Sequence, residues 1–430
     1  MIDPNESIRF AGSVSIKEIS VITAKNTIQN ITNQILDIKI FEDLFSPFIS
    51  GVINVKESFD FINLFPFVGE EYLKVYIYTP SLPTQYHINQ DFYIYKVSDR
   101  IVLGDRSTVY QIHFISKEAL VDVNKNISKS YSGKISDIAT DICSNMVDGL
   151  QSRKKLNIES TGNTTKFISN FWSPVKCLNY AAGTASTVAG ASDYIFFENR
   201  NGLNFLSLDS LYRQDVAQSF VYDKYLRDDL ADGRTIINIA KDYARIMTIS
   251  VPVVFDYLDR IRSGMFASKM VSTDITVKKY VVNNFDMLQD FASNKHTNKY
   301  PSISDKLVKR NNSLVINYPK YYGAFNAYTD VSNARTIQKR LSQLAQAQST
   351  KLIINVFGRT DYTVGMKVNL TLNKVAPMKK GATEEELRDN ILSGNYIISA
   401  INHIIDRKQH ECVMELIKDS FIINLNTGKP

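Results

Sequence analysis

The segment Phe67-Val68-Gly69, followed by the alternating segment Tyr93-Ile94-Tyr95-Lys96-Val97, has a counterpart near the other end of the chain. There, Thr363-Val364-Gly365 is followed by Tyr396-Ile397-Ile398-Ser399-Ala400. In each copy the glycine precedes a further alternating strand, and the second segment precedes a turn and a last strand. This internal repeat predicts that the chain contains two related β-barrels.

Both copies end on a similar polar group, Ser116-Lys117-Glu118 in the first and Lys418-Asp419 in the second. The sequence between and within the copies has helical periodicity, which indicates insertions. A trimer of such a chain would present six similar barrels around one axis. The repeat therefore predicts a molecule that joins partners of threefold and sixfold symmetry.

Period-2 patterns dominate the first 117 residues. Apolar and charged residues alternate in Leu36-Asp37-Ile38-Lys39-Ile40 and in Leu73-Lys74-Val75-Tyr76-Ile77, and Tyr110, Ile112 and Phe114 continue the pattern. Such alternation is typical of strands that have one solvent-exposed face. It predicts a small antiparallel barrel over residues 1–117.

Helical patterns follow this segment. Ser173-Pro174 has the residues of a helix start, and segment 236–249 fits a helix and a strand equally, so its type is left open. Four apolar residues share one predicted helical stripe: Ile135, Ile138, Ile142 and Met146.

The predicted fold class is α+β, mainly β, with two similar antiparallel β-barrel domains and inserted helical or mixed segments. The predicted divisions are a first barrel at 1–117, a helical and mixed insertion at 118–215, a second barrel at 216–285 with 340–421, a second insertion at 286–339 and a C-terminal tail at 422–430.

The composition is that of an ordinary globular protein, with 44% hydrophobic and 22% charged residues. The formal charge of +6 comes without a dense run of Lys or Arg, so nucleic acid is not expected as a stable partner. Cys143, Cys177 and Cys412 lie far apart, which predicts free thiols in a reducing cytosol and no disulfide. Neither a signal peptide nor a membrane anchor is predicted.

The densest group of potential metal ligands comprises His403, Asp406, His410, Glu411 and Cys412. If residues 406–409 turn a hairpin, His403 faces Cys412 across the strands and His410 pairs elsewhere. Two aligned ligands are fewer than the three or four that a zinc site needs. A histidine beside an ordinary buried cysteine is the favoured interpretation, so no metal, cofactor-binding or catalytic residues are predicted.

Paired carboxylates are further candidates, because two carboxyl groups suffice for glycoside hydrolysis. The candidates are Glu70-Glu71, Asp228-Asp229 and Glu384-Glu385-Glu386. Adjacent residues of a strand point to opposite faces, and the last run fits a solvated helix. Gly133-Lys134 lacks the upstream glycine of a phosphate-binding loop. These groups are therefore interpreted as surface residues and a turn.

Aromatic side chains concentrate on the strands of the first predicted barrel. They could stack bases or sugars, but aromatic residues in strands more often pack a sheet or a subunit interface. The residues concerned are Tyr72, Tyr76, Tyr78, Tyr93 and Tyr95.

Segments at the start, middle and end of the chain carry a family resemblance. They are residues 40–55 (IFEDLFSPFISGVINV), 63–71 (NLFPFVGEE), 256–274 (DYLDRIRSGMFASKMVSTD), 393–405 (SGNYIISAINHII) and 414–420 (MELIKDS). The chain resembles the baseplate hub proteins of contractile-tailed bacteriophages, which are related to the upper part of the type VI secretion spike. The positions carried over are structural: Pro47, Gly51, Pro66, Gly69 and Gly264.

The resemblance implies a structural, non-enzymatic homotrimer in the virion, made in the host cytoplasm, whose two barrel domains form a pseudo-sixfold trimeric ring. One end would seed the tail tube and the other would hold the central spike, with other baseplate subunits and the tape-measure protein as further partners and DNA only in transit. Two alternatives stay open: a tail-associated cell-wall-degrading enzyme and a receptor-binding or carbohydrate-binding tail module. The lack of a convergent acid, base and nucleophile weighs against the first, and the lack of terminal trimer-forming repeats against the second.

The near-neutral charge balance leads to an expectation about the ring's axis. The two barrels are predicted to line a wide channel whose wall is neutral or acidic, because a strongly basic wall would hold phosphate groups. Basic segments such as Lys306–Arg310 would then lie at the periphery.

Overall fold

The computed structural model describes residues 7–23, 27–58, 67–104, 107–222, 238–275, 278–304, 314–319, 331–374 and 384–427. Within these ranges the chain is mainly β. The sequence candidates Pro66, Asp228-Asp229 and Lys306–Arg310 lie outside the described residues.

The first part of the chain consists of strands. They are β1 (Ser15–Ile22), β2 (Ile28–Asn30), β3 (Ile35–Asp43), β4 (Ser50–Glu57), β5 (Tyr72–Tyr78), β6 (Ile88–Leu103) and β7 (Ser107–Ser116), with short 3-10 turns at Thr32–Gln34 and Thr84–Tyr86. The buried residues of β4, β5 and β7 alternate with half-buried ones, as the period-2 pattern predicts.

The next part mixes helices and strands. Its elements are α1 (Lys117–Asn124), β8 (Ile127–Lys134), α2 (Ile135–Ser144), β9 (Leu156–Ile158), β10 (Thr164–Trp172), α3 (Pro174–Thr184), β11 (Tyr194–Asn199), β12 (Gly202–Ser207), α4 (Leu208–Arg213) and β13 (Gln218–Tyr222). The predicted start of α3 is confirmed, because the Ser173 hydroxyl accepts from the Lys176 N–H and Pro174 follows. Met146 lies beyond α2 and is exposed, so the predicted stripe was one residue too long.

The remaining elements lead to the C-terminal strands. They are α5 (Ile239–Ala244), β14 (Ile246–Val253), α6 (Tyr257–Arg262), β15 (Ala267–Asp274), β16 (Lys279–Asp286), α7 (Met287–Phe291), β17 (Tyr300–Pro301), β18 (Val315–Pro319), α8 (Val331–Ala347), β19 (Thr350–Phe357), β20 (Lys367–Leu372), α9 (Glu384–Leu387), β21 (Gly394–Asp406), β22 (His410–Lys418) and β23 (Ser420–Phe421). The ambiguous segment 236–249 contains both types, since α5 ends just before β14 begins.

The main sheet contains two sets of five strands in the same order. The first unit, β3-β4-β7-β6-β5, and the second unit, β14-β19-β22-β21-β20, each place their first, second, fifth, fourth and third strands side by side. All neighbours within both units are antiparallel. The two units therefore share one topology, and the predicted repeat covers the last three strands of each.

The two units are joined by one pair of hydrogen-bonded strands. β3 pairs antiparallel with the outer half of β21, from Ala400 opposite Asp43 to Asp406 opposite Asp37. Each unit has its own hydrophobic core, one around Phe92 and Phe114 and the other around Leu416. Among the described strands the hydrogen-bonded order stays open, so the predicted pair of closed barrels is not confirmed while the mainly β class is.

Matching glycines introduce the third strand of each unit. Gly69 has a φ of +93° and Gly365 a φ of +86°, which is the left-handed region that only glycine enters at low cost. Gly51, also singled out in the sequence, is required for a different reason. A Cβ there would stand 2.1 Å from Cζ of Phe114 and 2.4 Å from the Lys39 carbonyl oxygen, so the ring occupies the space of a side chain.

Candidate functional site

The hairpin of β21 and β22 brings together three potential metal ligands. The turn at residues 407–409 sets His403 directly opposite Cys412, as the sequence predicts. His410 lies two residues before Cys412 on the same strand, and residues two apart in a strand point to one face. All three side chains are therefore on one side of the hairpin.

Their ligand atoms are in mutual contact. Nδ1 of His403 lies 3.0 Å from Nε2 of His410 and 3.3 Å from Sγ of Cys412, and Sγ lies 3.4 Å from Nε2 of His410. His410 pairs with Ile405 across the strands, as expected. The conclusion that only two ligands align was nevertheless wrong, because it overlooked that His410 and Cys412, two residues apart along β22, share one face. The other two candidates, Asp406 and Glu411, are not members of this cluster.

Burial sets the protonation of the cluster. It lowers the pKa of His403 to about 3, with the charge of Arg200 acting in the same direction, and it lowers the pKa of His410 well below its ordinary value. Burial also raises the pKa of the Cys412 thiol well above its usual range. Both imidazoles are consequently neutral at physiological pH, with lone pairs available.

Glycine backbone fixes the position of the His410 ring. A Cβ at Gly358 would stand 2.2 Å from Cδ2 of His410, so the ring packs directly on the main chain. The Gly358 N–H donates to the His410 carbonyl at 2.7 Å, and the His410 N–H donates to the Gly12 carbonyl at 2.9 Å. The ring therefore packs on the backbone of Gly358, while the main chain of His410 is hydrogen-bonded to Gly12 and Gly358.

The remaining sequence candidates make structural contacts. Glu70 is exposed, as expected, but the interpretation of Glu71 as a surface residue was wrong, because Glu71 is buried. Its carboxylate accepts from the N–H groups of Val68 and Gly69, at 2.9 Å each. The two carboxylates thus do not converge. Glu384–Leu387 forms a short helix, α9, so the predicted helix is present. The interpretation of Gly133-Lys134 as a turn was wrong, because both residues lie at the end of strand β8.

The tyrosines of the first unit pack on each other and on a histidine. The ring of Tyr78 stacks on His87 at a centroid distance of 4.8 Å, and Tyr72 lies 6.0 Å from Tyr93. Tyr76 accompanies this group, with its hydroxyl 3.2 Å from Nδ1 of His87. These four tyrosines therefore pack against neighbouring side chains of the sheet, in agreement with the packing interpretation.

Within the ten strands of the two units, two edges have no ladder partner among the described residues. β6 pairs with β5 only over Ile88–Tyr93, and its outer half continues to Leu103 beside β7 alone. β14 pairs with β19, and its other edge meets a single parallel bridge between Val221 and Arg245. The outer half of β6 exposes large apolar side chains: Tyr95, Ile101, Val102 and Leu103.

A buried ion pair lies just past the last strand of the second unit. Nδ1 of His296 is 2.5 Å from Oδ2 of Asp419, and its Nε2 is 2.8 Å from the Phe291 carbonyl oxygen. Two acceptors around one ring require the doubly protonated imidazolium. Burial disfavours that charge, but Asp419 outweighs it and raises the pKa of His296. The pKa of Asp419 is lowered although burial opposes its ionisation.

The first unit ends in a comparable way. Glu118 is buried after β7, accepts from the Ser152 hydroxyl at 2.7 Å and pairs with Lys154 at 2.7 Å. Lys154 also pairs with the buried Glu198 at 2.5 Å. In both units an acidic residue after the last strand is therefore tied to a basic residue of the inserted sequence.

Sequence reasoning missed several buried polar residues. Burial raises the pKa of Glu42 to about 7 although its carboxylate accepts from Thr363 and Val364. The residue interrupts an apolar segment, IFEDLF, where the alternation places an acid on the inner face. Burial and the neighbouring Asp209 likewise raise the pKa of Asp193 to about 7, and no local pattern marks that pair.

Two solved structures are similar over nearly the whole chain. One is a tail protein from Neisseria meningitidis MC58, with a TM-score of 0.54, 11% identity and coverage of 94% of this chain and 96% of that protein. The other is the 43 kDa tail protein of prophage MuSo2 from Shewanella oneidensis, with a TM-score of 0.56, 13% identity and coverage of 95% and 100%. The chain therefore has the fold of these two tail proteins, which confirms the sequence resemblance at the level of the fold.

No family model and no curated protein sequence matches the chain. Among the described helices, none combines the length and the apolar character that crossing a bilayer requires.

Proposed function

We propose that the chain is a structural subunit of a contractile phage tail, the baseplate hub that adapts a threefold central spike to a sixfold tail tube. The observation that carries this proposal is the presence of two units of identical strand order in a fold shared with prophage tail proteins. A duplicated unit makes a trimer quasi-sixfold, because three chains present six equivalent sheets.

The junction inside the chain suggests how the chains join each other. Within one chain, the first strand of the first unit, β3, pairs with the outer half of β21, the fourth strand of the second unit. The corresponding elements are β14 and the outer half of β6, and both have a free edge among the described strands. Unpaired edges are templates for another strand. We infer that β14 of one copy pairs with the outer half of β6 of the next.

Three such contacts would close a ring. The exposed apolar residues of the outer half of β6, such as Ile101 and Val102, would become buried in these contacts. The proposed contact is of the permanent kind, on the order of 2,000 Å² or more in total. The proposal retains the sequence-based domain divisions, with the insertions on the outside of the ring and the two units around its axis.

The proposed partners are the central spike, the tail tube, other baseplate subunits and the tape-measure protein, with DNA passing through and not held. The channel wall is proposed to be neutral or acidic, so that phosphate groups are not retained. A map of the assembled ring tests this, because a channel of DNA width lined mainly by Lys and Arg contradicts it, as does a ring that closes the axis completely in every state.

A non-enzymatic role is part of the proposal. It is supported by the separate placement of Glu70 and Glu71 and by the packing of the tyrosines, which leave the sequence-predicted groups without a convergent arrangement. Purified protein is expected to leave peptidoglycan intact. Turnover that is lost on substituting Glu70 or Glu71 would contradict this part.

The mass of the purified chain in solution tests the hub proposal. Light scattering is expected to give about three times the 48.8 kDa of one chain at micromolar concentration. A strictly monomeric particle that also fails to assemble in the presence of the spike protein would contradict it.

A further inference from the structure

We propose that His403, His410 and Cys412 bind one zinc ion that braces the hairpin of β21 and β22. The proposal is independent of the hub function, since it rests on the side chains of one hairpin. It assigns a metal-binding role to three residues whose sequence pattern favoured an ordinary core.

The donor set suits a borderline-soft transition metal. Imidazole nitrogen and thiolate sulfur are the ligands that zinc prefers, whereas Mg²⁺ and Ca²⁺ take oxygen ligands. Copper accepts the same donors, but zinc has no redox chemistry and is the usual structural ion with cysteine and histidine. The chemistry therefore points to zinc.

The geometry of the three ligand atoms fits a tetrahedral ion. Zn–N distances near 2.0 Å and Zn–S distances near 2.3 Å imply separations of about 3.3 Å between nitrogens and about 3.5 Å between nitrogen and sulfur. The corresponding separations are 3.0 Å for the two nitrogens and 3.3 and 3.4 Å for the sulfur contacts. A movement of a few tenths of an ångström in side chains would reach the zinc values.

Hydrogen bonds alone satisfy the cluster poorly. The two nitrogens and the sulfur that could bind a metal lie in mutual contact, but only one proton can lie between Nδ1 of His403 and Nε2 of His410. The outer nitrogens, Nε2 of His403 and Nδ1 of His410, have no well-aligned partner among the described residues.

The surroundings are built to hold these side chains in place. Gly358 leaves room for the His410 ring against the main chain, and the backbone N–H of Arg359 acts on the Cys412 sulfur. All three ligands are at most 1% exposed. The described residues supply three ligands, so the fourth position falls to a water molecule, as in other three-ligand zinc sites.

The ion would brace the hairpin at the place where it meets the first unit. His403 pairs with Ile40 of β3 in the first unit, and Cys412 pairs with Val356 of β19 in the second. A metal bond between the two residues adds a link that does not depend on hydrogen bonds of the ladder. Its free energy adds to folding, because the unfolded chain holds no preformed site.

Metal analysis of the full chain is the first test. Protein produced in zinc-supplemented medium and passed over a chelating resin is expected to retain about one zinc per chain. Cys412→Ser should lose the ion, whereas Cys143→Ser, which places the same hydroxyl at another fully buried cysteine, should keep it. Zinc that is absent from the wild type, or equal in wild type and Cys412→Ser, would overturn the proposal, and copper without zinc would overturn the choice of ion.

Cobalt substitution keeps the test valid if Cys412→Ser does not fold. Wild-type protein reconstituted with Co²⁺ is expected to show the charge-transfer absorption of a cobalt–thiolate bond, and Cys143→Ser should show it unchanged. A cobalt-loaded wild type without thiolate absorption would contradict coordination by Cys412.

Discussion

The fourth and fifth strands form a hairpin in both units, and the two hairpins end differently. Phe114 in β7 and Leu416 in β22 hold equivalent ladder positions, so Tyr110 corresponds to Cys412. Opposite Cys412, the second unit places His403 in regular pairing and closes the hairpin soon after. Opposite Tyr110, the first unit has a bulge between Ser98 and Ile101, and the hairpin continues into solvent.

The same strand order therefore gives one hairpin that is paired inside the chain and one whose outer half has an unpaired edge. The hairpin of the second unit has a neighbour inside the chain, β3, so its outer half is buried and carries the histidine and cysteine side chains. The hairpin of the first unit has no such neighbour among the described strands, and its bulge bends the outer half away. An exposed apolar edge is costly in an isolated protein, which favours a partner at this position.

Breaking the ion pair of the second unit is expected to have the largest effect on stability. Asp419→Asn removes the partner of His296 and is expected to lower the free energy of unfolding by about 4 kcal/mol near pH 6, because one member of a buried pair is lost. Chemical denaturation measures this. A loss no larger than that of an exposed Asp→Asn change would contradict it.

The pH dependence separates the two units further. The pKa of His296 is raised above its ordinary 6.5, so its contribution is complete below about pH 6.5 and is lost as pH rises through the raised value. The pKa of Asp419 is lowered from 3.8, so its contribution is present above that value and is lost as pH falls through the lowered one.

Denaturation midpoints at about pH 5.5 and about pH 9 are therefore expected to differ less in Asp419→Asn than in the wild type. Glu118→Gln, which weakens the Lys154 pair of the first unit, should leave the wild-type difference unchanged. The assignment fails if Glu118→Gln flattens the profile as much as Asp419→Asn does.

At one pair of cross-strand positions the two units distribute side-chain volume differently, with a glycine and a large ring in the first unit and two leucines in the second. Gly51 beneath Phe114 in the first unit corresponds to Leu352 beneath Leu416 in the second. Gly51→Ala is expected to cost about 2 to 3 kcal/mol, since its Cβ would overlap the Phe114 ring. In a Phe114→Leu background the same change should cost less, and a double-mutant cycle measures the coupling. If Gly51→Ala lowers the free energy of unfolding equally in the wild type and in Phe114→Leu, the proposed dependence of Gly51 on the Phe114 ring is wrong.

A change at the free hairpin tip should affect assembly and leave the fold intact. Val102→Asp is expected to shift the unfolding free energy by less than about 0.5 kcal/mol, because Val102 is 68% exposed. It should nevertheless reduce the trimer fraction in light scattering. Val188→Asp, at an 87% exposed valine in the inserted sequence, is the control and should assemble normally. Loss of assembly in both variants, or in neither, would remove the tip from the contact.

The sequence predicted local features well, because they depend on neighbours along the chain. The alternation of β5 and β7, the proline start of α3 and the pairing of His403 with Cys412 all follow from short periods. The position of His410 was equally local and was missed through an error in counting faces. The common order of both units was only partly visible, since a long insertion separates β14 from β19, the first two strands of the second unit.

Tertiary contacts were beyond sequence reasoning. His296 lies in a polar segment that resembles a loop, and its burial depends on Asp419, more than a hundred residues away. The burial of Glu42 beneath residues 363 and 364 has the same origin. The requirement for glycine at position 51 is set by the ring of Phe114, a neighbour in space that no turn pattern indicates.

Electron cryomicroscopy of the assembled particle tests the central claim most directly, because it resolves which strands pair between copies. We expect a ring of three chains and six similar sheets. In this ring β14 of each copy pairs antiparallel with the outer half of β6 of the next, as β3 pairs with β21 within one chain. A particle in which these two edges face solvent, or pair with unrelated elements, would contradict the equivalence of the two units.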